Sequence, residues 1–282
     1  MPGTKTRILL TALLMIALFG FTSCSTAPRG PQPGTPAFYW QAASETFAAR
    51  DYLKTVDHLG RLTRTEGEFA SRALPWQLVL TAGLAKAYGD LADEFDSGAK
   101  VNIFKPMPLR RVMSDYRTLA EGRALEFGEA FMRFEKALKD QQTVALEFPF
   151  PSSDVAEIQD LKKIRAGSLL PEANMAVVVR KMIERSVTQV ACAAVGAPGD
   201  TAKAQTLFQA GPVQAPREVF LLAMVGNLYD QARLFVRTKL DKPDRIKLFA
   251  GEAYDTLKLL KENKQTKDLT AKFQKLEKAA KP

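Results

Sequence analysis

Apolar residues in this chain recur mostly at three- and four-residue intervals, a spacing that predicts a succession of helices. Trp40, Ala43 and Phe47 set the face of a first helix from Ala37 to Arg50. Asp51 breaks it and is placed to cap a second, on which Tyr52, Val56, Leu59 and Leu62 form a stripe, with Gly67 near its end. A third is expected to start at Leu74-Pro75-Trp76, because proline suits a first turn, and to be closed by Ser97-Gly98. Val101 to Pro108, Val-Asn-Ile-Phe-Lys-Pro-Met-Pro, reads as a loop. From Pro108 to about Lys139 the helical period holds through Tyr116, Phe127, Phe131 and Phe134. Gly122 and Gly128 each cost that helix roughly 1 kcal/mol against alanine, so we expect them to mark close approach of a neighbour.

Leu146-Glu147-Phe148-Pro149-Phe150-Pro151 cannot continue the helix, since each proline lacks a donor and biases its predecessor toward extended geometry. Its aromatics either pin a crossover to the core or cover a groove or partner. Asp154 and Glu157 have capping-box spacing for a short helix to Arg165, ended by Gly167. Pro171 starts another, reaching Val195, with Met175, Val178, Met182, Ile183, Val187 and Val190 on its buried face. Val177-Val178-Val179 alone would suit a strand, but the longer period favours helix. After the turn Gly196-Ala197-Pro198-Gly199 come a short helix (201–209), a strongly apolar one from Arg217 to Leu240, a turn at Asp241-Lys242-Pro243-Asp244, and two more at 244–262 and 266–280. No convincing run of strand alternation appears. The expected fold class is all-α: antiparallel helical hairpins, in a repeat-like array or an irregular bundle.

The N-terminus follows another pattern. Lys5 and Arg7 precede an apolar run from Ile8 to Phe21, about 14 residues. That fits a secretory signal core of roughly 7–15 and falls short of the about 20 needed to span a bilayer. Phe21-Thr22-Ser23-Cys24 then resembles a bacterial lipoprotein lipobox, departing from it in having Phe21 where leucine is commonest. The resemblance implies cleavage before Cys24, a thioether-linked diacylglycerol on its sulfur and acylation of the new amino group. Two or three acyl chains meet the requirement for stable anchoring that one chain fails. Ser25 in place of aspartate implies, by the same resemblance, the outer membrane over the inner. The alternative is an ordinary secretory signal with an incidental cysteine. The expected organisation is a signal peptide (1–23), a Pro/Gly-rich tether (24–36) and one all-α domain (37–282).

Composition narrows the picture. Apolar residues at 46% with 25% charged can supply a core. The net charge of +9 is concentrated at the C-terminus, where eight lysines and three acidic residues follow from Lys258 onward, so it is a tail property and no nucleic-acid partner is expected. Lipid on Cys24 would leave Cys192 without an intramolecular partner. Its setting, Val190-Ala191-Cys192-Ala193-Ala194-Val195, reads as a buried structural thiol.

Trp40, Ala43 and Phe47, followed by Tyr52, Leu59 and Leu62, resemble the helix–turn–helix of a tetratricopeptide repeat. Gly226-Asn227-Leu228-Tyr229 and Gly251-Glu252-Ala253-Tyr254 repeat a small-x-x-Tyr element in which the small residue would admit a neighbouring helix; Ala85-Lys86-Ala87-Tyr88 is a looser copy. The resemblance is to a degenerate array over half of the mature chain. A lipoprotein with such an array, together with Arg72-Ala73-Leu74-Pro75 and the stretch Tyr116–Leu125, is also similar to the T component of tripartite ATP-independent periplasmic transporters.

Little chemistry is expected. The single histidine, His58, reads as a helix-surface or inter-helix hydrogen-bonding group. No phosphate loop, nucleophile elbow, dinucleotide fingerprint or metal-ligand spacing occurs, so no catalytic, cofactor or metal residue is assigned. Asp90, Asp93, Glu94 and Asp96 could be an acid–base or cation cluster, but read better as a solvated helix face. Lys105, Arg110, Arg111 and Arg117 are the candidate binding residues, for an acidic partner, an anionic headgroup or peptidoglycan. The C-terminal stripe Leu269, Phe273, Leu276, bordered by lysines, would cap the array or lie on a membrane. The functional expectation is a non-enzymatic envelope lipoprotein that binds a protein partner or small ligand. The alternative is a periplasmic accessory of a solute transporter.

Overall fold

The computed structural model describes residues 30–151, 157–236 and 242–280. Thr35 opens the first helix, α1 (Pro36–Ala48), its hydroxyl accepting from the Phe38 amide at 3.3 Å. Arg50, with φ +59°, turns the chain, and Asp51 caps α2 (Tyr52–Leu62) by accepting from the Lys54 amide. The stripe Tyr52, Val56, Leu59, Leu62 is buried as the spacing predicts. Arg61 donates back to the Tyr39 hydroxyl at 3.2 Å, closing an antiparallel hairpin.

That hairpin packs on α3 (Glu68–Val101), the helix around which the domain is built. Every residue of α3 from Ala73 to Ala85 is buried. A helix without a polar face must be surrounded, and α3 contacts α1, α2 and the helices introduced next on its remaining sides. Both expected boundaries of this helix need correction. It starts at Glu68, after Gly67 at φ +138°, and Pro75 lies inside it. Pro75 leaves the Ser71 carbonyl without its helical donor, a local cost outweighed by burying Ala73, Leu74 and Trp76. Gly98 does not stop it either. A Cβ at Gly98 would sit 2.1 Å from the Ile164 carbonyl oxygen, so this glycine is a crossing point.

α4 (Pro106–Ala137) returns along α3, with Pro106 rather than Pro108 in its first position. Tyr116 stacks on Tyr88 and Phe95. Thr143–Leu146 (β1) pairs antiparallel with Val213–Pro216 (β2), with Leu146 opposite Val213. Four residues per strand are too few to show as alternation in the sequence, although Val144, Leu146, Val213 and Ala215 all face inward. Then follow α5 (Gln159–Arg165), α6 (Glu172–Ala194), α7 (Thr201–Phe208), α8 (Arg217–Val236), α9 (Pro243–Leu259) and α10 (Lys264–Ala279). Asp154 of the expected capping box and the expected end of α8 at Leu240 lie outside the described residues. α8 is apolar and long enough to cross a membrane, yet Phe220, Leu221, Met224, Val225, Leu228 and Phe235 are buried in the core. The fold is all-α, with ten helices among the described residues and one two-stranded ribbon.

The glycine expectations divide. A Cβ at Gly128 would lie 3.1 Å from the Phe249 ring, a true close approach, whereas Gly122, Gly226 and Gly251 face open space. The small residue of the small-x-x-Tyr element therefore admits no neighbouring helix at Gly226 or Gly251. The tyrosines do share a partner: Tyr229 and Tyr254 pack edge-on against Phe273 of α10, at 5.5 and 6.1 Å.

Between α4 and α9, the half-buried Glu135 accepts from the Thr256 hydroxyl, with Glu252 nearby. Burial raises the pKa of both carboxyls, and at Glu252 the Glu135 charge adds to it. The folded chain thus holds these protons more tightly than the unfolded chain. Their contribution to stability is greatest below the ordinary carboxylate pKa and falls as pH rises through the raised values. Glu135→Gln keeps an oxygen for Thr256 and removes the charge. Thermal unfolding should show the variant gaining in melting temperature over wild type at pH 7, with the gain disappearing at about pH 4 as both carboxyls protonate.

Candidate functional site

At one end of the molecule, Asn102 ties two loops together. Its amide nitrogen donates to the Gly167 carbonyl, and its amide oxygen accepts from the Lys105 backbone, each at 2.9 Å. Gly167, at φ +87°, lies so close that a Cβ would come within 2.7 Å of Asn102 Cβ. This clamp fixes the α3–α4 tip. Lys105 directly precedes α4, and Arg110 and Arg111 stand exposed on its first turns. None of the three forms an ion pair with the described residues. Arg117 is separated from them. It is half-buried and lines a crevice with Glu121 and Leu234. The structure therefore places three of the four candidate binding residues around the tip and turns the fourth toward α8.

A groove of about 540 Å³ runs over α8. Gly226 forms part of its floor, with nothing above the missing side chain. Lys86 of α3, Gln189 of α6, and Asp268 and Lys272 of α10 stand around it. Lys272 pairs with Asp268 at 2.7 Å, and both Lys272 and Arg233 lie 5.9 Å from the centre of the Tyr229 ring. Asp230 remains open to water but is crowded by protein on its other sides, and this desolvation raises its pKa despite nearby Lys86 and Arg233. Beneath lies a narrower cleft of about 130 Å³ between α3 and α8. There Gln231 is almost fully buried, and neither its amide oxygen nor its amide nitrogen has a partner among the described residues. No sequence motif announced this groove. The available signal was Gly226-Asn227 and Asp230-Gln231 interrupting an otherwise apolar helix.

The remaining candidates are absorbed into the fold. Asp90 pairs with Lys86, Glu94 with Arg165 and Asp96 with Lys100, which disperses the α3 carboxylates among separate ion pairs. His58 is half-buried beside the Tyr39 ring, with Nδ1 unpartnered among the described residues. Burial raises the Cys192 thiol, so it stays protonated at neutral pH and inert. Phe148 is buried, and Phe150 is half-buried against Phe208. Leu269, Phe273 and Leu276 are buried against the body of the domain, so the C-terminal stripe acts as a cap and is not open to a membrane. Among the described residues no group of three His, Cys, Asp or Glu side chains is placed to hold a metal ion. Cys24 lies outside the described residues. Comparison with protein-family models, with curated proteins and with solved structures returns no match to this chain.

Proposed function

We propose that the protein is a cell-envelope lipoprotein, anchored through Cys24 at the outer membrane, and that its helical domain binds an envelope partner or small ligand without catalysing a reaction. The groove over α8 carries the binding half of this reading. Opposed charges (Lys86 and Lys272 against Asp230 and Asp268) surround a floor left open at Gly226, a place suited to a ligand or chain segment bearing both signs of charge. The location half rests on Phe21-Thr22-Ser23-Cys24 and the Pro/Gly-rich stretch that follows. A role as transporter accessory takes second place. It would use the unpartnered Gln231 amide, but about 130 Å³ holds roughly four waters at about 30 Å³ each, below the range usual for organic ligands.

Fractionation with detergent partitioning tests the address: Cys24→Ala should move the protein out of the membrane fraction, and unchanged partitioning would overturn the anchor. Filling the groove with Gly226→Trp tests the rest. In cross-linking on intact envelopes, the variant should lose the partner that wild type captures while keeping its helical circular dichroism. Equal capture by both would remove the groove from the reading.

A further inference from the structure

The α3–α4 tip exposes apolar side chains as well as charge. Phe104 is 89% exposed, Ile103 75%, Met107 67% and Val101 63%. Leu169, 52% exposed, sits in the loop that Asn102 clamps to this tip. Among the described residues, five of the six most exposed large apolar side chains therefore lie at one end of the domain, the sixth being Leu259 on α9. None of the five lines a cavity described above. Exposure on this scale costs solubility unless something covers it. Around it stand Lys105, Arg110 and Arg111, which form no ion pair among the described residues, while Lys100 is paired with Asp96.

We propose that this tip inserts into an anionic lipid bilayer, with Ile103, Phe104 and Met107 entering the interface and Lys105, Arg110 and Arg111 meeting lipid phosphates. Apolar groups ringed by cations are the combination that interfacial binding rewards, through buried apolar area plus attraction to anionic headgroups. The Asn102 clamp matters here, because a loop already fixed in shape loses little entropy on insertion.

If Cys24 is also anchored, the tip sets orientation. Trp40 packs on Phe69 near the start of α3, so the tether enters at the opposite end of that helix from the tip. Thirty-four helical residues measure about 50 Å. Gln32–Thr35 is already a turn, so the stretch from 24 to 30 adds only roughly 20 Å when extended. Both contacts can lie in one bilayer only with α3 inclined toward the membrane plane. This orientation rests on the anchor reading; the insertion itself does not.

The test uses the chain from Gly30 onward, which lacks the anchor but keeps every described core residue, these running from Ala43 to Ala280. It should co-sediment with vesicles containing phosphatidylglycerol and much less with phosphatidylcholine alone. Ile103→Asp with Phe104→Asp should abolish binding. Arg110→Ala with Arg111→Ala should weaken it about fivefold per cation removed and reduce its dependence on anionic lipid. All these side chains are exposed, so melting temperatures should not change. A Phe104→Trp variant separates insertion from adhesion through the basic C-terminal helix: its emission should shift to the blue on vesicle binding and be quenched by brominated acyl chains. Failure to sediment, sedimentation indifferent to the double aspartate change, or an unshifted emission would overturn the proposal. So would capture of an envelope protein through Phe104 without vesicle binding. None of these outcomes depends on what Cys24→Ala does.

Discussion

Replacing Gly83 with alanine is expected to lower the melting temperature by about 4–8 °C, although alanine is the better helix former. A Cβ at Gly83 would lie 2.7 Å from Val187 Cγ2, 2.8 Å from Val187 Cα and 3.0 Å from Val187 N. Two of those atoms are backbone of α6, so relief requires moving a helix and not merely turning a side chain. Overpacking costs about 1–3 kcal/mol, and backbone contact places this site at the upper end. Alanine returns about 1 kcal/mol of helix propensity, leaving a net loss near 2 kcal/mol. Gly98→Ala should be worse still, since the obstacle is the Ile164 carbonyl oxygen at 2.1 Å. Gly122→Ala supplies the opposite sign. It lies in α4 facing open space, so the propensity gain stands alone and the melting temperature should rise by about 2–4 °C. Thermal unfolding of the three variants by circular dichroism decides the matter. A rise in all three would mean that α3 and α6 are not in backbone contact.

The same glycines mark how far the sequence could be read. The stripe on α2 was legible because its four buried residues and its cap are local facts. Gly98 and Pro75 were misleading for the converse reason. Their local meaning is to stop a helix, but Pro75 lies in the fully buried stretch from Ala73 to Ala85 and Gly98 at the crossing with Ile164, and this packing outweighs both signals. What Gly98 does is determined by Ile164, more than sixty residues away. Gly122 and Gly128 occupy one helix and differ only in that Phe249 reaches the second. The candidate sites divide in the same way. Lys105, Arg110 and Arg111 were visible as charge. The exposure of Ile103 and Phe104 was not, because periodicity assigns no inside or outside to a residue in a loop. The groove over α8 is assembled from four helices, and only the packing of α3, α6 and α10 around Gly226 makes it a concavity.

Phe148→Ala is expected to destabilise the domain by about 3–5 kcal/mol, roughly 10 °C in melting temperature. It lies in a segment where prolines forbid regular structure, so backbone hydrogen bonds contribute little and the ring must hold the crossover. Its centroid is 4.9 Å from Phe47, 5.0 Å from Trp40 and 5.7 Å from Trp76, which makes it the point where α1, α3 and the segment after β1 meet. The neighbouring Glu147 reinforces the joint by accepting a bidentate pair from Arg72, whose guanidinium lies 4.5 Å from the Trp40 ring centre. At the far end of the segment the Thr188 hydroxyl donates to the Pro151 carbonyl. Phe150 offers the internal comparison. It is half-buried and packs on Phe208 of the short α7, so Phe150→Ala should cost less, about 1–2 kcal/mol. Denaturant unfolding of both variants separates two roles for the segment. A large loss at Phe148 with a small one at Phe150 is what a crossover pinned to the core requires. Equal small losses would return these aromatics to the surface, leaving Trp40 and Trp76 without the ring that joins them.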